Sequence, residues 1–227
     1  IAGPELPKAH SVVNPNRLDE DGTFGYLCAT GVVFIVLAGM LRSLRQRGYF
    51  TATNTAPDLL KHLDLVALAT ICDVVPLIGL NRAFVRQGLK VMAQRHHPGL
   101  AKLADIAGVS DAPNAYALGF LLGPRINAAG RLGASDLGVQ LLSANDVEIA
   151  AGLAFRLDDL NKERRLIEEA VRVVALDRAA QSPHHVIILA DDEWNEGIIG
   201  IVASRVRERF GKPAMIITMG PDGIGKG

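Results

Sequence analysis

Three short segments hold residue types that can bind a cation or an anion. In TICDVVPLIGLNR, Asp73 comes directly after the apolar run Leu65 to Ile71 and one cysteine. A carboxylate at the carboxyl end of a strand in an open α/β sheet stands where ligands collect, and it is well placed to hold a divalent ion. The same aspartate would also serve as a helix N-cap or an Asx-turn ahead of Pro76. In GPRINAAGR, Arg125 and Arg131 lie six apart in a glycine-rich stretch, with Asn127 between them. Guanidinium forks match phosphate oxygens, and glycine lets backbone approach an anion closely. A plain loop whose arginines pair with nearby acids accounts for the same residues. In NEGIIGIVASR, Gly197 and Gly200 open a helix whose N–H groups could face a phosphate. Glycine at a helix start is common without any ligand.

Two look-alikes are set aside. The tail GPDGIGKG, residues 220–227, nearly spells the phosphate loop GxxxxGK[ST], but Gly227 stands where Ser or Thr must bind magnesium. His96 and His97 adjoin Pro98-Gly99, and adjacent side chains point to different faces, so a surface pair at a helix end is expected.

The elements that must carry these residues alternate between α and β. Val12-Val13 is read as a short strand before the loop Asn14-Pro15-Asn16. Helical spacing predicts a helix over 25–48, stopped by Gly48, and a short one over 58–63. LVALATI, 65–71, has the length and continuous apolarity of a strand buried on both faces of a parallel sheet. Helices are expected over 81–94 and 99–108, with another starting near Ala115, then a loop over 123–131 and helices from Asp136 to Ser143 and from Asp146. One long charged helix, 145–180, is long enough to bridge two domains. Strands over 186–190 and 214–218 flank a helix over 197–210, so a second α/β unit begins near residue 184.

Composition excludes several classes. The chain has 227 residues, 49% apolar and 21% charged, which is globular and not disordered. Basic and acidic residues number 24 each, and no long region is basic overall, so a positive coating for nucleic acid or membrane is excluded. A local basic cleft is not. The two cysteines form no disulfide or zinc pattern, which suits a reducing cytosol. The longest apolar run, Gly31 to Leu41, falls short of the roughly 20 residues a spanning helix needs, and a buried helix is expected there. Arg42, Arg45 and Arg47 follow that run, the wrong order for a signal peptide.

Taken in order, LDLVALATICDVVPLIGLNRAFVRQGL, LLGPRINAAGRLGASDLGVQLL, LDDLNKERRLIEE and WNEGIIGIVASRVRERFGKPAMII closely resemble the RecJ-type single-stranded-DNA exonucleases of the DHH phosphoesterase superfamily. The resemblance covers nearly the whole chain. It implies an α/β fold: the rear of a parallel-sheet DHH domain (1–144), a connecting helix (145–183) and the start of a smaller α/β DHHA1 domain (184–227). It further implies hydrolysis of single-stranded DNA by two manganese or magnesium ions, with 5′-to-3′ polarity, in repair and recombination. Asp73 matches the family's last metal-ligand motif and is the expected catalytic metal ligand. Cys72 replaces the common alanine beside it. Arg125, Asn127 and Arg131 match the GPRxNAxGR segment and are assigned to substrate, as are Asn195, Gly197 and Arg205. Asn161, Glu163 and Arg164 match the connecting helix and are given structural roles.

Two departures qualify the match. The family reads Trp-His-x-Gly where Trp194 is followed by Asn195, and asparagine cannot carry a proton or a positive charge at neutral pH. The family's DxD acids and DHH triplet are absent. Ile1 to Pro7 matches the stretch just after that triplet, and Gly225-Lys226-Gly227 matches the entry to a Gly-Arg-Ser motif. The expectation is an internal fragment that hydrolyses nothing alone, from a monomeric cytoplasmic protein working with a helicase and a single-strand-binding protein and with no membrane. The rivals are a DHH phosphoesterase for short oligonucleotides or cyclic dinucleotides, a silent DNA-binding scaffold, and a nucleotide binder if Ser or Thr followed Lys226.

Overall fold

The computed structural model describes residues 5–109, 112–220 and 223–227. Ile1 to Pro4, and Pro221-Asp222 within the look-alike tail, lie outside the described residues. The chain divides into two compact units, one ending at Gly123 and the other running Pro124–Gly227.

The described part of the first unit is helical. Helix α1 spans Ala29–Gln46, α2 spans Leu63–Cys72 behind a 3-10 turn at Leu59–His62, α3 spans Gly79–Ala93 and α4 spans Pro98–Ile106. The expected strand at 65–71 is therefore a helix, and Val12-Val13 lies in irregular chain. The reason is ambiguity of pattern: a short run apolar on all sides reads the same whether buried as strand or as helix. Asp58 caps the preceding turn by accepting the Leu60 N–H, and Asp64 puts a carboxylate in the first turn of α2. Six of the ten residues of α2 are buried. Helix α3 lies against it so tightly that a Cβ on Gly88 would stand 2.1 Å from the Leu63 carbonyl oxygen. Leu27, Leu63, Val66 and Phe84 form the core there.

Helix α1 departs from the buried helix expected of its apolar run. Only Gly31 and Leu41 are buried in it, while Val33, Leu37 and Met40 are exposed. By length and composition it is one helix long and apolar enough to cross a membrane, because flanking residues extend the run to 18. Gly48 ends it at a φ of 68°, in the left-handed region.

Residues Ala117–Leu122 wind as a π-helix and lead straight into α5, Gly123–Arg131. GPRINAAGR is thus helix, not loop. Pro124 has no N–H to donate to the turn before it, and the winding is wider just there. Ala128 and Ala129, both buried, draw the segment into helix despite its glycines.

In the second unit, α6 (Leu137–Ser143) precedes α7, a 34-residue helix over Val147–Ala180 capped by Asp146. The buried residues of α7 fall in two groups, Ala150 to Asn161 and Val171 to Ala179, with a wet middle between. The second group packs with Ile187, Trp194, Ile198, Val202 and Ile216. That core belongs to a three-stranded sheet, β1 (Ile187–Asp191), β2 (Ala214–Met219) and β3 (Gly225–Lys226), crossed by α8 (Glu196–Phe210). Strands β1 and β2 run parallel with Ile187 beside Ala214, and β3 adds an antiparallel edge. The fold is mixed α/β as expected, but all the strands among the described residues lie in this unit, and none in the first.

Candidate functional site

Asp73 stands at the C-cap of α2, not at a strand end. Its backbone N–H bonds the Ala69 carbonyl at 2.9 Å, and its side chain is exposed. The carbonyl end of a helix carries partial negative charge. A carboxylate there adds to that field, which repels anions and attracts cations. Val74 follows at a φ of 55° and is 86% exposed, a strained conformation for a β-branched residue that serves no packing.

Cys72 beside it is half-buried, and burial pushes its thiol up to about 11. Its Sγ faces Gly123, where a Cβ would come within 2.5 Å of the sulfur. The first glycine of GPRINAAGR is thereby packed on the residue adjoining Asp73. Among the described residues no three His, Cys, Asp or Glu side chains converge as a metal site. One exposed carboxylate does not make a two-ion centre, so the residues present do not hold that group by themselves.

In the second unit the predicted residues are tied to protein partners. Arg125 Nε donates to Asp158 Oδ1 at 2.8 Å, and the two side chains are 12% and 8% exposed. Lys162 Nζ reaches Asp158 Oδ2 at 2.8 Å. Burial pushes the Asp158 carboxyl up, but the hydrogen bond from Lys162 and the charge and hydrogen bond of Arg125 outweigh it, so its pKa lies below the ordinary value. Sequence reasoning missed Asp158 and Lys162. Their i,i+4 spacing, with Leu157, Leu160 and Asn161 around the acid, was the available signal.

Arg131 is exposed and donates from Nη1 to the Gly197 carbonyl at 2.8 Å. Gly197 also presses on Arg131: a Cβ there would sit 2.3 Å from the Arg131 carbonyl oxygen. Asn195 is the N-cap of α8, its Oδ1 accepting the Gly197 N–H at 2.8 Å, and its carbonyl accepts from Ile198 and Ile199. The amides of Gly197, Ile198 and Ile199 are therefore engaged within the helix start, and a ligand would compete with Asn195. Asn127 is exposed. Arg205 is exposed and pairs with Glu208 at 3.2 Å. Asn161 is buried and accepts from Arg164, while Lys226 of the look-alike tail pairs with Glu196.

No family model matches the chain. Curated relatives do. The single-stranded-DNA-specific exonuclease RecJ of Dickeya dadantii is 39% identical over the whole chain, and that of Escherichia coli 38%, the chain spanning 41% of each. The protein of the same name from Bacillus subtilis is 36% identical over 99% of the chain, which spans 27% of it. The chain thus spans about two-fifths or less of the length of these relatives. Among solved structures, RecJ of Thermus thermophilus in complex with Mn²⁺ superposes with a TM-score of 0.66 at 38% identity, over 71% of this chain and 24% of that one. An exonuclease RecJ bound to manganese gives 0.65 at 36% identity, over 73% and 44%.

Proposed function

This chain belongs to the RecJ-type family by similarity along its whole length, and from that premise we propose that the protein carrying it is a metal-dependent exonuclease for single-stranded DNA. The observation that supports this most is the end-to-end identity of 36–39% to proteins named for that activity. In this reading residues 1–144 are the rear of the DHH domain, 145–183 the connecting helix and 184–227 the start of DHHA1. Asp73 is one ligand to a pair of manganese or magnesium ions whose other ligands lie elsewhere in the protein. Those ions, when bound, supply activated water and neutralise the phosphodiester.

The chain's own residues position the strand. Arg131 and Arg205 are exposed and offer guanidinium donors to phosphate oxygens, with Asn127 close to Arg131 in sequence. Arg125, held by Asp158, fixes the orientation of the α5 segment that carries Asn127 and Arg131. Asn195 and Gly197 form the α8 end against which Arg131 is set. With no net charge, binding rests on a few placed cations, so its salt dependence is moderate, roughly one counterion per phosphate neutralised. Cytoplasmic location, a monomeric state, and helicase and single-strand-binding partners complete the proposal.

The test compares nucleotide release from 5′- and 3′-labelled single strands by the whole protein in manganese, beside dinucleotides and the 227-residue chain. Release from the 5′ end by the whole protein, and none by the chain, supports the proposal. Preference for dinucleotides, or no hydrolysis by the whole protein, overturns it.

A further inference from the structure

Aromatic residues are scarce here, seven Phe, three Tyr and one Trp. Two of the eleven stand side by side in water. Tyr116 and Phe120 are each 63% exposed. Their rings stack with centroids 5.0 Å apart and planes 25° from parallel. Other aromatic pairs in the unit, Phe34 with Phe84 and Tyr49 with Phe50, meet edge to face. Leaving two large rings in solvent forfeits the gain from burying them, so the pair is not explained by packing. It is also held in place. Ala117, Leu118 and Leu122 on the same π-helical stretch are buried, and the Ala117 N–H is capped by Asn114 Oδ1 at 2.9 Å. One face of that stretch is anchored while the opposite face presents flat rings. A π-helical turn of this kind is rare and recurs at functional sites.

A flat, exposed, near-parallel aromatic surface matches the face of a nucleobase. Stacking of this kind tolerates any base and needs no charge, which suits a chain with equal numbers of acids and bases. We propose that Tyr116 and Phe120 form a stacking platform for bases of a bound single strand. This rests on the reading that the whole protein takes single-stranded DNA. In sequence the pair precedes the arginine segment directly, Phe120 standing five residues before Arg125.

The experiment measures binding of the whole protein, metal chelated, to an oligothymidylate and to an abasic strand of equal length. The variants are Tyr116→Ala, Phe120→Ala, the apolar but non-aromatic Tyr116→Leu and Phe120→Leu, and the conservative Phe120→Tyr. Each loss of a ring weakens oligothymidylate binding about 5- to 150-fold, whereas Phe120→Tyr binds as wild type. Affinity for the abasic strand, and the slope of affinity against salt, stay unchanged because no phosphate contact is lost. Leucine variants that bind oligothymidylate as tightly as wild type, or equal losses on both strands, overturn the platform. Leucine variants that keep affinity but melt lower would show that other protein covers the rings, which also overturns it. A wild-type protein with no affinity for either strand fails the functional reading itself, and the platform with it.

Discussion

Arg131 and Gly197 hold each other by two separate contacts, a guanidinium-to-carbonyl hydrogen bond of 2.8 Å and a backbone approach that leaves no room for a Cβ. The two are 66 residues apart in sequence, so they join the end of α5 to the start of α8 within the second unit. Gly197→Ala would set a methyl 2.3 Å from the Arg131 carbonyl oxygen, and backbone cannot step aside as a flexible side chain can. The expected cost is about 1–3 kcal/mol, read as a lower midpoint in thermal or urea unfolding. Arg131→Lys keeps the charge but loses the planar fork, and being exposed it should cost less than the glycine change. Equal stability of Gly197→Ala and the parent chain would refute the contact.

Asp73 offers a sharper separation of roles. Its carboxylate sits at the negative end of α2, where charge of the same sign is unfavourable. Asp73→Asn should therefore leave stability unchanged or raise it by about 0.3–1 kcal/mol, while abolishing manganese-dependent hydrolysis by the whole protein. A residue with a merely structural role would lose stability and activity together. Val74→Gly gives a companion measurement, since glycine relieves the positive φ and should stabilise by roughly 1 kcal/mol. Full activity in Asp73→Asn would exclude the metal role.

The second unit was largely legible in the sequence, because its signals are local. VIILA and AMIIT are β-rich runs bounded by turns, and Gly211 ends α8 at a φ of 63°, one residue past the expected end. In the first unit the helices expected over 25–48, 81–94 and 99–108 are found, but LVALATI misled, because it carries no period that separates a buried helix from a buried strand. Asp73 is exposed and terminal as its sequence context implies, but on the other kind of element, so its electrostatic setting differs from the one expected. GPRINAAGR failed in the other direction: two glycines and a proline read as loop, but the segment is helix with Ala128 and Ala129 buried. The partners of Arg125 and Arg131 lie 33 and 66 residues away, and no pattern in one sequence reveals such distances.

Asp158 gives the second unit an acid-sensitive element. Its folded pKa lies below the ordinary value because Lys162 and Arg125 together outweigh burial. A carboxylate depressed in the folded state contributes stability in full above its unfolded pKa, near 3.9, and loses it as pH falls through the lower folded value. Stability should thus fall with acid below about pH 4 in the parent chain. In Asp158→Asn that share of the acid slope should vanish. Arg125→Leu removes the better buried partner and leaves a carboxylate only 8% exposed with Lys162 alone, costing about 3 kcal/mol at neutral pH. Unfolding midpoints from pH 2 to 7 for the three proteins decide it. Parallel curves for the parent chain and Asp158→Asn would rule the linkage out.

Gly123 and Cys72 allow a test of how the π-helical stretch is set beside Asp73. Gly123→Ala places a Cβ 2.5 Å from Cys72 Sγ and 2.9 Å from the Leu118 carbonyl oxygen. The sulfur can rotate or be removed, whereas the carbonyl belongs to the π-helical backbone and must shift with it. Gly123→Ala alone should cost about 1–3 kcal/mol. Cys72→Ala alone removes a half-buried sulfur and should cost about 1 kcal/mol. The double variant should be more stable than the sum of the two losses predicts, since the sulfur clash is gone, yet less stable than the parent chain, since the carbonyl clash remains. The coupling is read from a double-mutant cycle of urea midpoints. Strict additivity would mean that Gly123 does not rest on Cys72.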